Sequence, residues 1–580
     1  MPGSYAPKPG LSLVGAGAGA AIHARERGRT PHMADATPIS DPAPQALGGG
    51  RDARPSWWRS ALAGIVAAAM ALGIGELVAG FSQRFSPPVI AVGNRVIDAV
   101  PQPIKQFAID TFGTNDKIAL LAGIYSFAAI FGLVLGFLAA RRFVIGAIGI
   151  AAFGAVGVWA ANSEFEAPWW AGLPSVIGAV VGIAVLAVLL ATVAGAARPA
   201  LADPVARATN TDPPHESDDS VVGALARRSF LKVTAGVVVA GAAAAGAGRW
   251  LQGRFSAAAA RLDVALPGPG TPPEPIAEGV VLDIDGISPY ITANEDFYRI
   301  DINLQVPQVP TEGYELRVTG MVDQELTISY NELLERDLVE ERITMTCVSN
   351  EVGGDLVDNA LWLGTSLKDL LDEAGVQEGA DQIVGRAVDG FTTGFPLNTL
   401  DDGRPALVAV GMNGEALPLE HGFPVRLIVP GLYGYVSATK WLVEIEITTF
   451  AAFDQYWVER DWAAEGPIKT QTRIDTPGGL SGISPGPTPI AGVAWAQTRG
   501  IERVEVQIDD GDWQEATLAE ADNIVTWRQW MFEWDATPGR HNVAARATDG
   551  TGEVQTEERA RPFPNGASGW HSVAVFVDEE

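Results

Sequence analysis

The chain has 580 residues, long enough for about three or four domains of ordinary size. Its formal net charge of −29 argues against nucleic acid as a partner, because phosphate binding needs Lys and Arg to neutralise it. A single cysteine, Cys347, excludes an intramolecular disulfide.

Residues 1–56, rich in Pro, Gly, Ala and Arg, are expected to form a disordered cytoplasmic tail, with Met33 as an alternative start. Five apolar segments follow, at about Ser60–Gly80, Ile118–Ala140, Phe143–Ala161, Trp170–Ala197 and Phe230–Gly248. The first four are about as long as a bilayer-spanning helix and define a four-helix transmembrane region at 57–200. Arg141-Arg142 forms a tight hairpin between the second and third spans. Basic residues cluster before the first span (Arg51, Arg54, Arg59) and after the fourth (Arg198, Arg207, Arg227, Arg228), and the acidic, aromatic link from Glu164 to Trp169 falls on the other side. The positive-inside rule then places the N-terminus in the cytoplasm and everything after the fifth span outside. Residues 81–117 fit that rule poorly, since they carry Arg84, Arg95, Lys105 and Lys117 on the outer face. This long, partly apolar loop is expected to lie along the membrane surface. Glu76 is a carboxylate at membrane depth and a candidate functional group.

A cytoplasmic linker at 201–226 leads to a signal-anchor helix at 227–250. Arg227-Arg228-Ser229-Phe230-Leu231-Lys232 resembles the twin-arginine signal, which exports folded proteins across a bacterial cell membrane. The alternative is an ordinary positive-inside anchor. Export of a folded domain implies that a cofactor is inserted in the cytoplasm. The spans themselves contain no histidine and the chain has no Cys-x-x-Cys-His, so the bundle does not read as a cytochrome.

After a linker at 251–275 ending near Pro272-Pro273, short β-branched runs alternate with turns. Tyr330–Leu334 and Ser366–Ala374 read as short helices, each entered by a polar residue. Beyond about Thr470 the pattern is all-β, with strands at Val493–Trp495, Val504–Ile508, Trp527–Trp534, Val543–Ala547 and Val573–Val577. Their regular spacing predicts an immunoglobulin-like sandwich at 470–580. Lacking a cysteine pair, its core is expected to rely on Trp495, Trp513, Trp527, Trp530 and Trp534.

Cys347 follows an apolar, β-branched run and precedes a polar Ser349-Asn350-Glu351 stretch and Gly353-Gly354. Two readings are open on these flanks alone: a small buried hydrophobe, or a thiol at a strand-to-loop turn that a ligand can reach.

Several further motifs occur in order. They are Phe297-Tyr298-Arg299, Thr346-Cys347-Val348-Ser349-Asn350, Met412-Asn413-Gly414-Glu415-Ala416-Leu417-Pro418, His421-Gly422-Phe423-Pro424-Val425-Arg426, Val429-Pro430-Gly431 and Lys440-Trp441. Together they resemble the molybdenum-cofactor domain of the sulfite oxidase family, here an α+β domain at 276–460. The downstream sandwich, with Ala494-Trp495 and Gly569-Trp570-His571, resembles that family's dimerisation domain. The resemblance implies a mononuclear molybdenum bound by a single molybdopterin (a pyranopterin dithiolene) and by Cys347 as the protein's metal ligand. It also implies that His421 and Arg426 hold the pterin phosphate, with Lys440, Ala438 and Thr439 lining the same pocket. Tyr298 and Arg299 match the entry motif of the cofactor site, and Asp389 reads as a pterin contact.

The chain also departs from the family pattern. Glu351-Val352 stand where an arginine pair would help to bind sulfite, and a carboxylate beside the metal would repel a dianion. Trp462, in Arg460-Asp461-Trp462, replaces the tyrosine expected beside the metal, and indole has a donor but no acceptor. Gly434-Tyr435-Val436-Ser437 lacks the expected arginine, so Arg299 and Arg460 are the candidates for positive charge at the substrate. Cys347, Arg299, Trp462 and Glu351 are thus the candidate catalytic set. The reading is a membrane-anchored, extracytoplasmic molybdenum oxidoreductase performing two-electron oxygen-atom transfer on sulfite or a related small oxoanion. Alternatives are reduction of S-oxides or N-oxides, and a non-catalytic binding or assembly module that keeps the cofactor fold. The expected partners are a small-molecule substrate, membrane lipid, a second copy through the C-terminal domain, and a separate electron carrier, either a cytochrome or a quinone-linked subunit.

Overall fold

The computed structural model describes residues 56–112, 115–195, 216–270 and 272–579. The expected tail, apart from residue 56, and positions 201–215 of the expected linker lie outside the described residues.

Seven helices open the described chain: α1 (Trp57–Ala79), α2 (Pro88–Ala99), α3 (Gln102–Phe112), α4 (Asp116–Ala139), α5 (Phe143–Asn162), α6 (Leu173–Gly195) and α7 (Glu216–Gly253). By length and composition, five segments could cross a membrane: α1, α4, α5, most of α6, and Arg227–Leu262, which contains most of α7. Helix α1 packs against α4, α6 and α7, and glycines set how closely. A Cβ built at Gly64 would lie 2.0 Å from Gly132 O in α4, and one at Gly248 in α7 would lie 2.3 Å from Glu76 O. Small residues let the backbones touch where no hydrophobic force distinguishes helix from lipid. Helix α7 begins at Glu216, inside the expected linker.

Residues 81–117 are largely helical and not an irregular loop. They form α2, which packs on α4 and α5, and α3, which packs on α4. Two of their basic residues, Lys105 and Lys117, face the following domain, while Arg84 is exposed and Arg95 pairs with Asp98 of its own helix. Lys117 Nζ lies 2.9 Å from Asp301 Oδ1 and donates to Asn303 O at 2.7 Å. Lys105 sits over the Trp457 ring, and Asp98 accepts from the Tyr456 hydroxyl at 2.9 Å. This docking gives Lys105 and Lys117 a physical reason to depart from the positive-inside pattern.

The next domain holds two sheets. One runs β2 (Leu326–Ser329), β1 (Glu315–Gly320), β10 (Leu442–Thr448), β5 (Gln382–Ala387), β6 (Thr392–Pro396), with β1 and β10 parallel. The other runs β3 (Leu338–Thr346), β4 (Val357–Ser366), β7 (Leu407–Met412), β8 (Glu415–Ala416), with β9 (Arg426–Ile428) also paired to β7. Leu316 and Ile445 of the first sheet share a core with Leu363 and Val408 of the second. The two expected helices are present. Ser329 and Glu332 form a capping box on Tyr330–Leu334, and Ser366 caps Leu367–Ala374.

The remaining strands form two more sheets. One runs β11 (Gln471–Thr476), β13 (Gly486–Trp495), β17 (Arg528–Ala536), β16 (Thr517–Leu518). The other runs β12 (Gly482–Ile483), β19 (His571–Val577), β18 (Gly539–Asp549), β14 (Ile501–Ile508), β15 (Gln514–Glu515). Their facing residues form one core that contains Trp530 and Trp534. The other three tryptophans are not in it, contrary to expectation. Trp495 and Trp527 belong to the core of the preceding domain, because successive residues of a strand point to opposite faces and Trp495 follows the inward Ala494. Trp513 stacks edge-on against Trp570, with centroids 4.9 Å apart, under the Arg546 guanidinium.

Candidate active site

Cys347 is the first residue beyond β3, where the β3–β4 ladder opens into a loop. Its N–H still donates to Leu356 O at 2.9 Å, and Asn350 closes the loop by accepting from Leu356 N at 2.9 Å. Later strands brace this ladder. Gln497 Nε2 donates to Thr344 O at 3.1 Å, Trp527 N donates to Thr344 Oγ1 at 2.7 Å, and Arg473 Nη1 donates to Gly354 O at 2.9 Å. Burial pushes the Cys347 thiol up, against the opposing pull of the Ser349 N–H and Lys440. A bound metal would reverse that, since a coordinating thiol is deprotonated outright.

The thiol stands on the wall of an open cavity of about 1610 Å³. Of the predicted site residues, Tyr298, Arg299, Asp389, His421, Arg426, Ala438 and Lys440 share that wall with Cys347. Arg426 is buried, with no carboxylate partner among the described residues. Its Nη1 donates to His421 O at 3.0 Å, Nη2 reaches Met345 Sδ at 3.7 Å, and Nε has no partner. Burial lowers its pKa to about 10. Lys440 is lowered to about 8, chiefly by burial and partly offset by Asp301. His421 is held down to about 4 by burial and by Arg426, and its Nε2 donates to Asn294 O at 3.0 Å.

Three predicted residues are not on the wall. Glu351 is exposed on the loop after Cys347. Thr439 turns its hydroxyl to Thr393 at 2.8 Å and gives its carbonyl to Leu427 N. Trp462 lies behind the wall, packed against Tyr435, Trp457 and Phe563, with its indole N–H unpaired. Tyr435 and Trp457 line the cavity in front of it.

The sequence reading missed Asp301, the centre of the charge cluster. Its side chain is 3% exposed and meets Lys117, Arg299 and Lys440 at 2.9, 2.8 and 3.1 Å. Burial alone would raise its carboxyl, but Lys440, Lys117 and Arg299 outweigh it and hold the group well below the usual carboxylate range. The reading also missed Asp358, which accepts from Tyr298 N at 2.7 Å and Thr292 Oγ1 at 3.0 Å and so fixes the Tyr298-Arg299 segment. Asp301 follows Arg299 by two residues, and the unexplained Lys117 was the one sequence signal for its partner.

These residues fit an anionic pterin. A buried guanidinium with an orphaned Nε needs an acceptor, and a phosphate supplies one. Among the described residues no three His, Cys, Asp or Glu side chains cluster as a metal site, so Cys347 would be a lone protein ligand.

Residues 303–457 match the family described as oxidoreductase molybdopterin binding domain. The chain carries a molybdopterin-binding oxidoreductase domain of the sulfite oxidase family. Human mitochondrial sulfite oxidase is 29% identical over 341 residues, covering 50% of this chain and 62% of that protein. Arabidopsis thaliana sulfite oxidase is 26% identical over 333 residues, covering 47% and 84%. The uncharacterized oxidoreductase YuiH of Bacillus subtilis (strain 168) is 36% identical over 137 residues, covering 23% and 65%. The chain thus spans 62% of the length of the human relative. The five segments long and apolar enough to cross a membrane lie outside the family match. For a sulfite oxidase family domain, molybdenum with molybdopterin is the implied cofactor.

Proposed function

We propose that this chain is a membrane-anchored, extracytoplasmic molybdopterin-dependent oxidoreductase that transfers an oxygen atom to sulfite or a related small oxoanion. The observation that carries this reading is the placing of the Cys347 thiol on one cavity wall with the unpaired Arg426 guanidinium and Lys440. Arg426, Lys440 and His421 would hold the cofactor phosphate, and Cys347 would hold the metal. When bound, the cofactor supplies two-electron oxygen-atom transfer. Arg299, half exposed at the mouth and steadied by Asp301, would attract and orient an anionic substrate. Tyr435 and Trp457 limit the space beside it.

The signal-anchor helix and positive-inside pattern support a bacterial cell-membrane location with the N-terminus inside. The two-sheet sandwich supports an immunoglobulin-like dimerisation module. Electrons would pass to a separate carrier, a cytochrome or quinone-linked partner. A second reading, reduction of S-oxides, is favoured by Glu351-Val352 in place of an arginine pair that would attract a dianion.

Molybdenum and pterin analysis of the exported protein tests the proposal, with Cys347→Ser as comparison. Native protein should hold both, and the variant should lose the metal. Exported native protein with neither would leave a non-catalytic module as the function. Dye reduction with sulfite, set against dye oxidation with an S-oxide, decides the direction.

A further inference from the structure

The cavity at Cys347 is larger than one ligand needs. Small-molecule sites usually enclose about 300–1,000 Å³, and this one encloses about 1610 Å³. Its two ends differ in chemistry. One is walled by Cys347, Arg299, Asp301, Arg426 and Lys440, the other by Val92, Val96, Leu120, Ile124 and Phe127 of α2 and α4. A phosphate-bearing cofactor belongs to the first end and would be disfavoured against Val92, Val96, Leu120, Ile124 and Phe127, which offer no polar group to replace its water. Ile104, Phe112 and Phe127 line the cavity and are also exposed, so its apolar end opens on helices that lipid would surround. At Gly123, also on that wall, an added Cβ would meet nothing within 4 Å.

We infer that this apolar end binds a lipid-soluble quinone, which exchanges electrons with the metal centre held at Cys347 in the same cavity. The inference rests on the oxidoreductase reading and names its electron partner. A quinone joins an apolar body to two carbonyl oxygens, and Lys105 on the same wall carries an ammonium donor. A purely structural lipid would have no need of an open path to the thiol. The reaction balances. Substrate and water give the oxygenated substrate, two protons and two electrons, and the quinone takes up both protons and both electrons to become the quinol. In reverse, quinol and an S-oxide give quinone, sulfide and water. The five helices contain no histidine, the usual haem ligand, so a carrier that enters the cavity itself replaces a haem relay.

The test uses the full cofactor-loaded chain in lipid nanodiscs, titrated with decylubiquinone and read by quenching of tryptophan fluorescence, Trp457 being on the wall. Wild type should bind saturably. Gly123→Trp should weaken binding by at least about 10-fold while keeping the same molybdenum and pterin content, and Gly123→Ala should bind like wild type. Should Gly123→Trp fail to fold, Gly123→Leu carries the same comparison. Three outcomes overturn the inference: a molybdenum-loaded wild type that binds no quinone, a folded filled-cavity variant that binds as tightly as wild type, or a phospholipid that stays in the cavity at saturating quinone. Wild type without molybdenum overturns the oxidoreductase reading instead, even where saturable, Gly123-dependent quinone binding is seen.

Discussion

Gly353 and His571 meet where the Cys347 loop touches the sandwich: a Cβ built at Gly353 would lie 2.2 Å from His571 Nε2, and Gly353 has φ +80°. Both facts demand glycine, one through space and the other through backbone conformation. Gly353→Ala should therefore cost about 1–2 kcal/mol from the left-handed backbone alone, with the clash added. Because the loop carries Cys347, the loss should show as lower molybdenum content as well as lower thermal stability. An alanine variant with full metal content would separate the loop from the sandwich.

Arg426 is a buried cation without a carboxylate partner among the described residues, so its charge costs stability until an anion binds it. Arg426→Met should leave the cofactor-free protein as stable as wild type or more so, and should abolish pterin retention. Arg426→Lys should rescue retention poorly, because a point charge does not reproduce the guanidinium fork. Pterin content and unfolding midpoints of the three proteins check this together.

Asp301 keeps Lys440 protonated. The ammonium is already down at about 8 through burial, with Asp301 opposing the fall. Asp301→Asn removes that support, so Lys440 should lose its proton at a lower pH. Cofactor loading of the variant should then fail on the alkaline side at a lower pH than in wild type. The readout is molybdenum content after reconstitution between pH 6 and 9, and coincident curves would refute the coupling.

His421 and His571 are both held down to about 4, mainly by burial. Below the ordinary histidine value of about 6.5 the unfolded chain takes up their protons and the folded one does not. Stability should therefore be full above that value and fall as pH drops towards about 4, by up to about 1.4 kcal/mol per unit for each histidine. Asp358, raised to about 6 by burial, acts in the opposite sense below pH 6. Two histidines outweigh one carboxyl, and Asp358→Asn should steepen the acid limb of an unfolding-midpoint profile.

Replacing Arg227-Arg228 by Lys-Lys should strand the C-terminal domain in the cytoplasm. Protease added to intact cells would then spare it. Cleavage equal to that of wild type would mean that the pair is an ordinary anchor.

Much of this architecture is legible in the sequence because it follows from local pattern. Apolar length marks the helices, Ser329 and Ser366 mark helix entries, and β-branched runs mark strands. Tyr298, His421, Arg426 and Lys440 were legible as motifs that meet at Cys347. What escaped depends on long-range packing. Asp301 gains its meaning from Lys117, 184 positions away, and the face to which Trp495 points depends on strand register. Glu351 reads as a neighbour of the metal by adjacency alone, yet the loop leaves it exposed.

Thr344, three residues before the thiol, is clasped by Gln497 and by Trp527, the latter 183 positions later in the chain. A growing polypeptide cannot form that clasp until Trp527 has left the ribosome. The Cys347 pocket is thus completed late in synthesis, and a nascent chain truncated before Trp527 would present a thiol without its frame. The thiol's frame is therefore shared between two domains, so folding of the sandwich and integrity of the Cys347 site stand or fall together.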